Sequence, residues 1–186
     1  MTGTNGATTL VRSYRNGSDA KYNYDYDANG NITKIWRGSS TFENADEKFS
    51  YEYDSMNQLV RENLYYGENN SANSTYTYAY DSYGNMLGKY RYAYTTGSIA
   101  NKLGIIVAEY QYTDSQWGDL LTAVTDGTVS TGSKQNNTVS YDEMGNPTRY
   151  FGAAMTWAGK QLKYWGKSGK YVNFAYNEDG IRTLKN

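Results

Sequence analysis

From residue 22 onward the chain alternates. Tyr22, Tyr24 and Tyr26 take every second position, and Asn23, Asp25 and Asp27 stand between them. That is the period of a β-strand with two unlike faces. The alternation breaks at Ala28-Asn29-Gly30-Asn31, and apolar positions resume over Ile32 to Trp36. A four-residue break with glycine placed for a positive φ predicts a hairpin loop and a return strand. Phe49/Tyr51/Tyr53 and Tyr76/Tyr78/Tyr80 repeat the first strand, and Leu59 to Tyr65 and Met86 to Tyr94 repeat the second.

The hairpins recur along the chain. Tyr26-Asp27 returns as Tyr53-Asp54 and Tyr80-Asp81, at a constant period. A stretched copy begins at Tyr112 with one extra residue in its turn, and others follow at Tyr141-Asp142 and Tyr176-Asn177. Between these last two, "MTWAGKQLKYW" (155–165) reads as a half-unit that turns at Ala158-Gly159-Lys160. The units span roughly 10–37, 48–66, 75–94, 105–125, 138–151, 154–165 and 170–186. Gly30, Gly84, Gly118, Gly145 and Gly180 are expected to supply positive φ, with Asn57 in that place in the second unit. Tyr26, Tyr53, Tyr80, Tyr141 and Tyr176 are expected to pack on a strand face, and Asp27, Asp54, Asp81 and Asp142 to tie loop backbone. Looser joins fall at 38–47, 67–75, 95–104 and 126–138, and Ser115 to Val124 is the best candidate for a single helical turn. No domain boundary is visible. The fold class is all-β: antiparallel hairpins side by side in one sheet, with little or no helix.

Composition narrows the function. With 18 basic and 19 acidic residues the chain has no electrostatic case for nucleic acid or an anionic membrane. Its longest apolar run, Ile105 to Ala108, is far too short for a membrane span or a signal-peptide core. The 22 tyrosines favour half-buried strands but leave few aliphatics for a thick dry core. Cysteine and histidine are absent, which removes disulfides, thiolate metal sites and the usual general base.

Two kinds of site chemistry are suggested and then weakened by the repeats. Asp25 to Ile32 fits the front of a calcium loop, D-x-D-x-N-G-x-I, but position 12 is Trp36 where a bidentate glutamate belongs. The second and third units also replace the ligand positions. The carboxylate pairs Asp25/Asp27 and Glu52/Asp54 resemble a glycosidase dyad only in spacing, and they recur with the repeat as catalytic pairs seldom do. Neither a cofactor nor a metal is expected, and the chain does not read as an enzyme.

The pattern Y-x-Y-D-x-x-G-N-[LI], at 24–32, 51–59 and 78–86, resembles the YD repeats of bacterial Rhs and wall-associated proteins, toxin-complex C subunits and teneurins. "YTDSQWGDLLTAV", "VSYDEMGNPTRYFGAAMTWAGKQL" and "FAYNEDGIRTLK", in that order, are similar to the late part of Rhs-type shells. The resemblance implies a spiralling sheet that encloses a C-terminal toxin in the bacterial relatives. It also implies a secreted or cell-surface protein whose export signal is not in this chain. Such shells often end in a self-cleaving core with aspartate–proline motifs. Here the single proline, Pro147, follows Asn146, so no catalytic residue is carried over.

The resulting expectation is a structural wall segment, a fragment of a larger shell. Its partners would be the remaining repeats or toxin of a parent chain, or a second copy paired at an open sheet edge. The alternative is a carbohydrate-binding or adhesion module. Trp117 and Trp157 match the family pattern and are assigned to packing. Trp36 and Trp165 lie outside it and are the candidates for an exposed sugar platform.

Overall fold

A computed structural model describes residues 8–15, 18–100, 104–127 and 135–186, without the side chains of 8–15, 18–21, 126, 135 and 136. Residues 1–7, 16 and 17 and parts of two joins, 101–103 and 128–134, lie outside the described residues. Strands, turns and irregular segments make up all that is described, with no helix. The helical turn expected within Ser115 to Val124 is corrected to one reverse turn, in which the Leu120 N–H donates to the Trp117 carbonyl at 2.9 Å.

The chain forms two compact units, Met1–Val107 and Ala108–Asn186. The first holds β1 (Thr8–Arg15), β2 (Ser18–Tyr26), β3 (Ile32–Arg37), β4 (Glu47–Tyr53), β5 (Leu59–Tyr65), β6 (Ser74–Tyr80) and β7 (Met86–Ala93). Each pairs antiparallel with the next, so sheet order is chain order.

In the second unit β8 (Ile105–Gln111) pairs with β9 (Ala123–Asp126) through Ala108 to Gln111, and β9 pairs with β10 (Gln135–Thr138). A second meander follows: β11 (Ser140–Tyr141), β12 (Pro147–Tyr150), β13 (Ala153–Ala158), β14 (Gln161–Lys167), β15 (Lys170–Tyr176) and β16 (Arg182–Lys185). The sequence suggests one continuous sheet, but the strands belong to two. Thr138 lies opposite Ala123, the Val139 N–H donates to the Thr122 carbonyl at 2.8 Å, and Ser140 lies opposite Arg149. One extended segment therefore pairs with β9 through its first half and with β12 through its second. Tight two-residue turns join β12 to β13 at Phe151-Gly152 (φ 48° and 74°) and β14 to β15 at Ser168-Gly169 (φ 51° and 78°). Left-handed φ at both positions suits the twist of the strands they connect.

The interior is thin. Buried apolar residues among those described are Trp36, Ala45, Ala123, Val124, Val139 and Ala153, mostly small. In the first unit a polar row is buried instead. Ser50, Asn63 and Thr75 face one another across β4, β5 and β6, and Thr75 is fully buried. The Asn63 amide donates to Ser50 Oγ at 3.0 Å, and its carbonyl accepts the Thr75 hydroxyl at 2.9 Å. The Thr75 hydroxyl oxygen also accepts the Thr95 N–H at 3.0 Å, while Arg61 donates to the Thr95 carbonyl at 2.6 Å. Each group is paired, which a buried polar row requires, since one orphaned member costs about 1–3 kcal/mol.

In the second unit β13 shows which face looks inward. Ala153, Met155 and Trp157 are buried or half-buried, whereas Ala154, Thr156 and Ala158 are exposed. Trp165 lies opposite Met155 and Val172, on the inward side.

Candidate functional site

The repeated feature is the base of each hairpin. At Tyr26, Tyr53, Tyr80, Tyr141 and Tyr176 the ladder slips by one residue, leaving Thr33, Val60, Leu87, Thr148 and Thr183 extra on the return strand. Each is the seventh residue after its tyrosine. A bulge at a constant place bends and twists these five hairpins alike, so they can stack in one register. The half-unit keeps the bulge, at Lys163, although its turn is cut to Gly159-Lys160.

The loop beyond the bulge is closed by the acidic side chain. Asp27 Oδ1 accepts the N–H groups of Asn29 at 2.9 Å and Asn31 at 2.8 Å. Asp54 does the same for Met56 and Gln58, Asp81 for Tyr83 and Asn85, and Asp142 for Met144 and Asn146. The second oxygens of Asp27, Asp81 and Asp142 accept the side-chain amides of Asn31, Asn85 and Asn146 at 2.8–2.9 Å. Those amides, and then the backbone donors, hold the three carboxyls below the usual aspartate range. Asn177 keeps one bond of the set, from the Ile181 N–H at 2.8 Å. Carboxylates turned toward N–H donors have no geometry for a cation, so the stretch resembling a calcium loop is a hydrogen-bonded turn. No group of three or more metal-ligating side chains occurs among the described residues.

Gly30, Gly84, Gly145 and Gly180 carry the expected positive φ, 75–89°, and Asn57 substitutes at 62°. Gly118 does not, which corrects its assignment. In its stretched loop Asp114 accepts from the Gln116 and Trp117 N–H groups, and Thr122 closes the base by donating to the Gln111 carbonyl from N at 2.7 Å and Oγ1 at 2.9 Å.

The tyrosines do more than cover a face. Tyr53 donates its hydroxyl to the Ile32 carbonyl at 2.9 Å, Tyr80 to Leu59 at 3.0 Å and Tyr141 to Leu121 at 2.9 Å. In the half-unit Trp157 Nε1 donates to the Pro147 carbonyl at 2.7 Å. In each case the ring reaches back to the base of the preceding hairpin and stitches neighbouring repeats. Burial raises the Tyr53, Tyr80 and Tyr141 phenols above their usual range, with the charges of Asp27, Asp54 and Tyr150 adding to it, so they stay donors at neutral pH. Tyr26 stacks on Tyr24 with centroids 6.5 Å apart, and the Lys163 ammonium sits 5.0 Å from the centre of the Tyr176 ring. Loop side chains add further ties, from Asn29 and Asn31 to Asn57 Oδ1 at 2.9 and 2.8 Å, and from Gln58 to the Gly84 carbonyl.

A separate cluster sits on the tyrosine side of the first unit. Glu62 accepts the Tyr78 hydroxyl at 2.6 Å and pairs with Lys89 at 3.6 Å, and the Lys89 ammonium lies 4.4 Å from the centre of the Tyr76 ring. Burial and then the Glu62 charge push the Tyr51 phenol up to about 12. Burial and then the Glu62 bond raise Tyr78 as well, so both phenols stay protonated at neutral pH.

Three of the tryptophan assignments change. Trp36 is buried edge-on against Phe42 with centroids 6.0 Å apart, and its Nε1–H has no acceptor among the described residues; buried, it presents no exposed platform. Trp165 is half-buried on the inward face. Trp117, assigned to packing, is 66% exposed on its longer loop. The stitches and the polar row are absent from the sequence reading. No signal in the sequence marks the stitch, because its acceptors are backbone carbonyls.

The class these features define is an all-β protein of stitched, bulged hairpin repeats. No protein-family model and no curated protein sequence matches the chain. Solved structures do. A chain of the crystal structure of TcdB2-TccC3-Cdc42 matches with a TM-score of 0.52 at 13% identity, over 90% of this chain and 10% of that one. A chain of TcdB2-TccC3 without hypervariable C-terminal region matches with a TM-score of 0.51 at 15% identity, over the same shares. The likeness is one of fold, and this chain spans about a tenth of the length of those chains.

Proposed function

We propose that this chain is a non-catalytic wall segment of an encapsulating β-shell, in a secreted or surface bacterial protein of the Rhs type that carries a toxin. The observation that carries the reading is the fold shared over 90% of the chain with a tenth of a TcdB2-TccC3 chain. The stitches agree with it. The hydroxyls that Tyr53, Tyr80 and Tyr141 donate to the preceding repeat suit a wall that can be lengthened without a new core, as repeat architectures require. The polar atoms of the repeated site are spent on one another, which suits scaffolding better than catalysis. No helix among the described residues is long and apolar enough to cross a membrane. The partners on this reading are further repeats and the enclosed C-terminal segment of a parent chain.

The test is to read the coding frame on both sides of this chain, express the whole product and image it by electron microscopy. The expected result is a hollow particle whose C-terminal segment resists protease until the shell is unfolded. A parent product with no cavity and a freely digested C-terminus would overturn the reading.

A further inference from the structure

The outward face of the β13–β15 meander carries an aromatic floor that the stitches do not use. Arg149, Ala154, Gly166 and Tyr171 form one cross-strand row, and Thr156, Tyr164 and Asn173 form the next. Tyr164 folds along its own strand and lies over Gly166, where a Cβ would come within 2.6 Å of its Cζ. Only glycine lets the ring lie that close to the sheet. Tyr171, opposite Gly166, is near-parallel to the Tyr164 ring, with 19° between planes and 6.3 Å between centroids, and it is 63% exposed. Arg149, Thr156 and Asn173 beside them are exposed as well.

We infer that Tyr164 and Tyr171, flanked by Arg149, Thr156 and Asn173, form a binding platform for an oligosaccharide of equatorially linked pyranose units. The ring faces carry negative quadrupole charge, which attracts the weakly positive C–H bonds on the apolar face of a pyranose. The flanking guanidinium, hydroxyl and amide match the hydroxyl rim of such a sugar. A protein partner would require a buried centre of large apolar anchors, yet the neighbours in these rows are alanine, glycine, threonine, asparagine and arginine. The centroid separation is of the order of one pyranose unit, so the two rings are close enough for one oligosaccharide to reach both. The platform lies on the opposite face from Trp165, and it does not depend on the shell reading.

The test is isothermal titration of the whole chain with cellotetraose, chitotetraose and xylotetraose. At least one should bind. Tyr171→Ala should weaken that binding about tenfold or more, while Tyr171→Trp keeps it within about threefold. The melting temperature of both variants should match the parent's, since Tyr171 is largely exposed. Absence of heat with all three sugars overturns the proposal, as does a Tyr171→Ala variant that binds like the parent. Should the chain self-associate, with Tyr171→Ala abolishing the association and no sugar bound, the face is an interface between copies and the sugar site is refuted.

Discussion

Two loops of this molecule start from nearly the same sequence and close in different ways. In "YDANGN" the carboxylate of Asp27 collects the N–H groups two and four residues on, and Gly30 turns left-handed to let them converge. In "YTDSQWGDLLT" Asp114 collects the N–H groups two and three residues on, and a threonine hydroxyl closes the base. The second loop is three residues longer at its base: Asp25 pairs with Lys34, nine residues on, whereas Gln111 pairs with Ala123, twelve on. In it the acid lies one place further along, the glycine has no positive φ and Trp117 stands exposed. The repeat is thus defined less by its residue types than by the count between tyrosine and bulge.

The largest expected effect tests the glycine on each side of that comparison. A Cβ built on Gly30 or on Gly118 meets nothing within 4 Å, so crowding is equal and only the backbone differs. Gly30 holds φ at 87°, where a β-branched residue is strained. Gly30→Val should therefore lower stability by about 1–3 kcal/mol. Gly118→Val should change it by less than about 0.5 kcal/mol, as surface substitutions away from special features do. Chemical denaturation of the two variants decides it, and equal losses would mean that the loops do not differ as described.

A smaller effect concerns the stitch. Tyr80→Phe removes the hydroxyl donated to the Leu59 carbonyl while keeping the ring. The expected loss is about 0.5–1.5 kcal/mol, the net value of one such bond. Tyr83→Phe is the control, on a loop-tip ring that is 88% exposed and should be neutral within about 0.5 kcal/mol. If both variants melt alike, the stitch contributes nothing to the repeat.

These pairs also show what could be read from the chain alone. Strand alternation, hairpin loops and the repeat period are local properties, and local pattern suffices for them. The partner of Tyr80 is not local, because its acceptor is a backbone carbonyl of the preceding repeat and carbonyls leave no mark on sequence. Trp36 and Trp165 fall outside the repeat consensus, which says nothing about their burial. Trp36 is covered by Phe42 from a join between repeats, and Trp165 takes its direction from the parity of β14. Thr75 looks like an ordinary polar strand position until Asn63 and Thr95 are brought against it. Gly118 follows a tyrosine and an acid as the other turn glycines do, but its longer loop gives it another role.

The smallest effect is one of pH. Asp27, Asp81 and Asp142 titrate below the ordinary carboxylate value because the amides of Asn31, Asn85 and Asn146 and the loop N–H groups favour the charged form. A carboxyl lowered in the folded state stabilises the fold fully above its unfolded value of about 3.9. That contribution fades as pH falls through the lower folded value, so it should be lost on acidification below about pH 4 and be flat above pH 5. All three side chains are in water, so the amplitude is small. Asn177 already fills this position with an amide and still accepts the Ile181 N–H. Replacing all three by asparagine therefore keeps a closed loop while removing the charge. The melting temperature of that triple variant should fall less than the parent's between pH 5 and pH 2.5. If both fall equally, the acid loss comes from other carboxylates and the loop aspartates act only as neutral acceptors.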